Sequence, residues 1–255
     1  MRPVVRDLTR GSTSLRIDWD VRTAYDFVFS LSGDAGSTDD LPVKDREWLT
    51  TSRKALEPEV QAGITDLFES ELAIHAGVLL VEKPDVRTSA DFVELVASTP
   101  PRDLIGALFS DDYHGVDVSD LIARAVDGDE AALPALAAKL PEWNKEGRLE
   151  ILRDPQEAKD RILRVLSAWQ GQFAQIEPRV LAILERDYDG RAADRERLAP
   201  SDLIETTTGG LRYLPEAGIS RVILGPSYFS QPRGAGRDAI PCAAERHAGP
   251  MIALV

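Results

Sequence analysis

Cysteine is almost missing from this chain. Cys242 is the only one in 255 residues, so no disulfide can close within it, and no thiol has a nearby base in the sequence. Histidine is nearly as scarce. His75, His114 and His247 stand far apart, with no His or Cys at metal-ligand spacing and no His-Glu-x-x-His pattern, so no metal site is expected. There is no phosphate-binding loop and no Gly-x-Ser-x-Gly. Gly234-Ala235-Gly236 opens like a dinucleotide loop, but the third glycine is missing and no helical pattern follows. These absences leave no catalytic motif and no expected cofactor, and the chain is read as a non-enzyme. No run of about eighteen apolar residues exists, so no membrane span is expected. The opening Met1-Arg2-Pro3-Val4-Val5-Arg6-Asp7 lacks the apolar core of a signal peptide, and the expected location is the cytoplasm.

Basic residues are also in deficit. Acids number 43 against 30 bases, a net charge of −13, which repels phosphate backbones unless cations cluster. The most basic stretch, Arg191 to Arg197, is interrupted by Asp194 and Glu196 and reads as a solvated charged linker. No direct nucleic-acid binding is expected from this chain.

What is present is helix. With 43% hydrophobic and 29% charged residues, the composition is that of a globular protein able to bury a core. Asp154-Pro155-Gln156-Glu157 combines a capping acid, a first-turn proline and an acid three residues on, a strong helix start. Ile162, Leu166, Trp169, Phe173, Ile176, Val180 and Leu184 then recur every three or four residues, with Val165 and Leu181 widening the stripe. Glu157–Arg161 and Asp160–Arg164 are spaced as outward i,i+4 pairs. Pro178 should kink or divide this spine near Ile176.

The remainder follows the same logic. Asp20 is expected to cap a helix over 21–32. Further helices are expected at 45–56, 58–71, 89–97 behind Thr88, 100–109 behind Thr99, 118–126, 130–140 and 143–152, with a short turn at 200–204. The apolar run Leu72 to Val81 is ambiguous by period and is taken as a buried helix. Ser14 to Trp19 alternates and suggests an N-terminal strand. Leu211 to Leu214 and Ile219 to Leu224, separated by Pro215-Glu216-Ala217-Gly218, suggest an antiparallel hairpin. The expected fold class is therefore mainly α, with a small antiparallel β element at about 211–224 that an N-terminal strand at about 14–19 can join. The expected organisation is a helical domain over 1–210, a hairpin packed on it over 211–233, and an irregular tail over 234–255.

Candidate sites are few. Trp169 and Phe173 on the spine, and His75 in the apolar run, are the candidate ligand-binding residues, each with core packing as the competing reading. Asp111-Asp112-Tyr113-His114 is a polar cluster read either as a solvated loop or as a metal or general-base site.

One resemblance adds to this. Trp19-Asp-Val-Arg-Thr-Ala-Tyr-Asp-Phe-Val-Phe-Ser-Leu-Ser32, the spine from Trp169 to Leu184, Gly209-Gly-Leu-Arg-Tyr-Leu-Pro-Glu216 and Ile219-Ser-Arg-Val-Ile-Leu-Gly-Pro-Ser-Tyr-Phe229 occur in that order. Together they resemble the N-terminal region of a group of actinobacterial ArsR-like transcription regulators. The resemblance spans roughly 14–232. It implies a helical effector-sensing or oligomerisation module, with a small apolar effector and a homodimer as implied partners. In such regulators a DNA-binding winged helix-turn-helix follows, and none is expected here. An intact regulator with an unrecognised helix-turn-helix, and a small-molecule enzyme with a site near Asp111–His114, are the alternatives. The change of composition after about Arg233 is expected to mark a frameshift or truncation. Reading the gene in its other frames checks this; if none encodes a strand followed by a winged helix, the expectation fails.

Overall fold

The computed structural model describes residues 15–32, 41–68, 72–109, 118–140, 145–210, 221–229 and 251–254. Strand β1 (Arg16–Trp19) leads into α1 (Thr23–Phe29), then α2 (Val43–Lys54) and α3 (Pro58–Gly63), which runs on as a π-helical turn over Ile64–Phe68. After these come α4 (Leu72–Val81), α5 (Ser89–Ser98), α6 (Pro101–Phe109), α7 (Ser119–Val126), α8 (Ala132–Ala137) and α9 (Lys145–Arg153). The spine is α10 (Pro155–Phe173) and α11 (Glu177–Gly190), followed by α12 (Ala192–Arg197) and α13 (Pro200–Thr207). Strands β2 (Arg221–Gly225) and β3 (Met251–Leu254) complete the order. The fold is mainly helical, and among the described residues no helix is long and apolar enough to cross a membrane.

The spine forms as its spacing dictates. Asp154 accepts a hydrogen bond from the Glu157 N–H, the proline stands in the first turn, and Ile162, Val165, Leu166, Trp169 and Phe173 are buried. Residues 174–176 break the spine, and Pro178 enters the first turn of α11, where its missing N–H is not needed. The element is thus divided rather than kinked. Two expectations for its surface do not hold. Leu181 is one of the exposed large hydrophobics, because α11 buries only a narrow stripe at Val180 and Leu184. The arginines also reach beyond their own helix: Arg161 pairs with Glu150 and Asp66, and Arg164 with Glu59. Long side chains find neighbouring elements more readily than a partner one turn away.

Helix α10 packs on α5, α6 and α3, and α5 is held by spine residues at both ends. Lys159 donates to the carbonyls of Ala97 and Thr99 at 2.7 and 2.6 Å, satisfying the C-terminal end. Glu177 accepts from the Ser89 N–H at 2.8 Å and Ser89 Oγ at 2.6 Å at the N-terminal end, and from Thr23 Oγ1 at 2.5 Å. A cation at the carboxyl end and an anion at the amino end match the helix dipole. Thr88 and Asp91 form the reciprocal capping box. Thr99 does not cap α6; its hydroxyl turns back to the Leu95 carbonyl at 2.7 Å.

The apolar run is indeed a helix, α4. Helix α1 is buried at every position and packs against α4, α5 and α11. Asp20 does not cap it. The buried Arg22 guanidinium lies between Asp20 and the carbonyls of Leu80 in the last turn of α4 and of Lys83 and Val86 beyond it, so Asp20 serves as its counter-ion, while α1 begins two residues later than the sequence suggests.

The sheet overturns an expectation. Its order is β1-β2-β3, and both pairings are parallel, with Arg16 opposite Arg221 and Val222 opposite Met251. The antiparallel pairing is wrong because β1 and β2 flank the whole helical body, a crossover long enough for both to run the same way. The first hairpin segment, 211–214, lies outside the described residues. The N-terminal strand does join the sheet, as expected. Ile17, Trp19, Val222 and Leu224 turn to a small second core with Leu203 and Ile204 of α13, while the other face carries the Arg16–Asp18–Arg221 ion pairs. Within 234–255, expected to be irregular, Met251–Leu254 pair with β2 as a strand: a short apolar segment completes the ladder on the free edge of β2. The expected charged linker 191–197 is also corrected, for it holds α12. Arg195 lies 3.7 Å from the Tyr188 ring centroid and 5.6 Å from that of Trp19, so cation–π attraction draws the segment onto the protein.

Gly63 tests the contact between α3 and α10. A Cβ there would stand 2.7 Å from Val165 Cγ2, and Val165 is buried and stiff at χ1. Gly63→Ala should therefore lower stability by about 1 kcal/mol, overpacking outweighing the gain in helix propensity. Urea denaturation of Gly63→Ala, Val165→Ala and the double variant measures this, and the pair should show favourable coupling.

Candidate functional site

The spine aromatics meet the segment that leaves β2. Trp169 and Phe173 are fully enclosed. Trp169 donates from Nε1 to Ser30 Oγ at 2.8 Å, and its ring lies 5.7 Å from that of Trp48. Phe173 contacts Phe27 at 5.4 Å and Phe229 at 6.2 Å, and Phe229 is 6.5 Å from Trp48. Two of the three expected ligand-binding residues are therefore brought together through Trp48 and Phe229. His75 is not with them. It is half-buried on α4, its ring 6.1 Å from Phe109. The polar cluster at 111–114 lies outside the described residues. A shallow depression of about 290 Å³ on the outer side of α2 is lined by Val43, Arg46, Glu47, Thr50 and Thr51 and touches none of the expected residues.

Phe229 is the one member of this aromatic cluster on a short non-helical segment, and a polar clasp holds that segment. Asp26 Oδ1 accepts from Ser227 Oγ, the Tyr228 N–H and the Phe229 N–H at 2.8, 2.8 and 2.9 Å. Its Oδ2 is buried without a hydrogen-bond partner among the described residues. Burial pushes the Asp26 carboxyl up to about 6, against the pull of these three donors: removing the charge from water costs more than the hydrogen bonds return.

A second clasp lies alongside. Asp45 on α2 accepts from the Tyr228 hydroxyl and from Arg179 on α11. Burial alone would raise the Asp45 carboxyl, but the Arg179 and Tyr228 hydrogen bonds and the Arg179 charge outweigh it and hold it below the usual range. Tyr228 is pushed up to about 12 by burial and by the neighbouring Asp45 carboxylate. The segment 227–229 is thus fastened to α1, α2, α10 and α11 by two carboxylates and one ring.

Asp26, Asp45, Trp48, Arg179 and Phe229 were not found by sequence reasoning. Only Asp26 left a signal: an acid amid Tyr25, Phe27, Val28 and Phe29 has no solvated face to occupy. Among the described residues no group of three or more His, Cys, Asp or Glu is placed to hold a metal. Comparison with known protein families, curated proteins and solved structures finds no match for this chain.

Phe229→Ala should cost about 3–5 kcal/mol, since it empties a ring-sized space against Trp48 and Phe173. Tyr228→Phe should cost about 1 kcal/mol, removing one donor to an Asp45 that keeps Arg179. Chemical denaturation measures both, and near-UV circular dichroism should change in Phe229→Ala as Trp48 and Trp169 lose their fixed surroundings.

Proposed function

We propose that this chain is an effector-sensing or oligomerisation module related to ArsR-like transcription regulators. The observation supporting it is the seating of Phe229 beside Trp48 and Phe173, on a segment continuous with β2. The spine aromatics are closed off from solvent, so an apolar effector gains access by displacing a neighbour. Phe229 is the member that a short segment can withdraw without unfolding a helix. A ligand in its place would alter how the chain beyond β2 sits on the helical body, which is the output a sensor needs. Binding then favours whichever arrangement contacts the effector better.

The acidic charge fits the same reading. At −13, the chain repels bare nucleic acid and suits partners of other chemistry.

A thermal-shift screen with small aromatic and aliphatic metabolites tests the proposal. A true effector at a hundred times its dissociation constant should stabilise the fold by about 2.7 kcal/mol. It should also perturb tryptophan fluorescence through Trp48 and Trp169, and a salt-dependent DNA-binding assay should remain negative. If no compound shifts stability and light scattering shows a monomer throughout, the sensor and oligomer readings both fail.

A further inference from the structure

We propose that Asp26 is a proton-controlled latch: its neutral carboxyl keeps the segment 227–229 seated on the helical body, and its ionisation favours release of that segment. The inference stands independently of the effector reading, since it concerns only the clasp.

The geometry carries it. Three donors converge on Oδ1, from Ser227, Tyr228 and Phe229, while Oδ2 is buried with no partner among the described residues. A neutral acid suits this division of labour, with the proton on Oδ2 and Oδ1 left as the acceptor. An ionised carboxylate leaves half of its charge on a buried oxygen that nothing solvates. In the released state the carboxyl meets water and can ionise at little cost.

Among the described residues no neighbouring charge supplies that compensation. On α2, Arg53 donates to the Ser30 and Leu31 carbonyls. Arg179 on α11 and the Tyr228 hydroxyl are committed to Asp45, and Glu177 is bonded to Thr23 and Ser89. On α5, Asp91 closes its capping box and Glu94 is exposed. His75, the one titratable residue of α4, has its ring against Phe109.

The direction follows from proton linkage. The seated carboxyl titrates at about 6 and an unperturbed one at 3.8, so the seated state binds the proton more tightly. Seating is therefore strongest below the lower value and weakens as pH rises to the higher one, by about a hundredfold in all. About tenfold of this falls between pH 5 and 7.5.

Amide hydrogen exchange on the full chain tests the latch. The protection factors of the Tyr228 and Phe229 amides, corrected for intrinsic exchange, should fall about tenfold from pH 5 to 7.5 in the wild type. They should stay level in Asp26→Asn, whose amide oxygen still accepts but cannot ionise. Level protection in the wild type, or an equal slope in the variant, overturns the proposal. Should Asp26→Asn not fold, the ¹³C carboxyl resonance of Asp26 in the wild type decides: a midpoint near 6 supports the latch, and one in the ordinary aspartate range overturns it.

Discussion

The complete enclosure of α1 is the constraint from which the rest of this structure follows. A helix with all seven residues buried, Asp26 included, cannot keep one face in water. Its polar groups therefore draw what partners they have from inside the protein, and Asp26 Oδ2 is left with none among the described residues. The partners come from far along the chain. Arg22 meets the carbonyls at the end of α4, Thr23 meets Glu177, Ser30 meets Trp169, and Asp26 meets the segment after β2. Each contact ties a different element to the same short helix.

This arrangement makes the core both apolar and addressable. Phe27, Phe173, Trp48 and Phe229 supply the buried area, while the carboxylates decide where the last of these rings sits. Apolar contacts alone are non-directional and would accept several placements of the segment. The hydrogen bonds at Asp26 and Asp45 select one. A carboxyl in a low-dielectric setting also changes its hydrogen-bonding strength with protonation, so in the proposed latch specificity and responsiveness arise from the same side chain.

Much of the helical body was legible in the sequence. The spine announced itself through a cap, a proline and a three–four spacing, and α10 follows it closely. Thr88 marked the start of α5 correctly. Legibility failed where a residue had two local options. Asp20 and Thr99 are good caps by type, but Asp20 became the counter-ion of a buried arginine and Thr99 turned to the preceding helix. The strand directions failed for a related reason, since pairing depends on where a crossover ends, and no local pattern records that. Of the candidate site, Trp169 and Phe173 were visible as large apolar residues on a periodic face, whereas Phe229 lay in a segment with no period.

By itself, then, the sequence determined the mainly helical class, an interruption of the spine near Ile176 and the apolar stripe that α10 buries. These follow from spacing, capping and the missing N–H of proline, all local properties. The tertiary structure alone decided that the sheet is parallel, that Arg195 stacks on Tyr188 rather than lying in solvent, and that Asp26 closes on residues 227–229. Those outcomes rest on contacts between residues far apart in the chain. Burial then changes what each group costs, and an aspartate ordinary in sequence has its carboxyl pushed up by burial while it holds the segment after β2 in place.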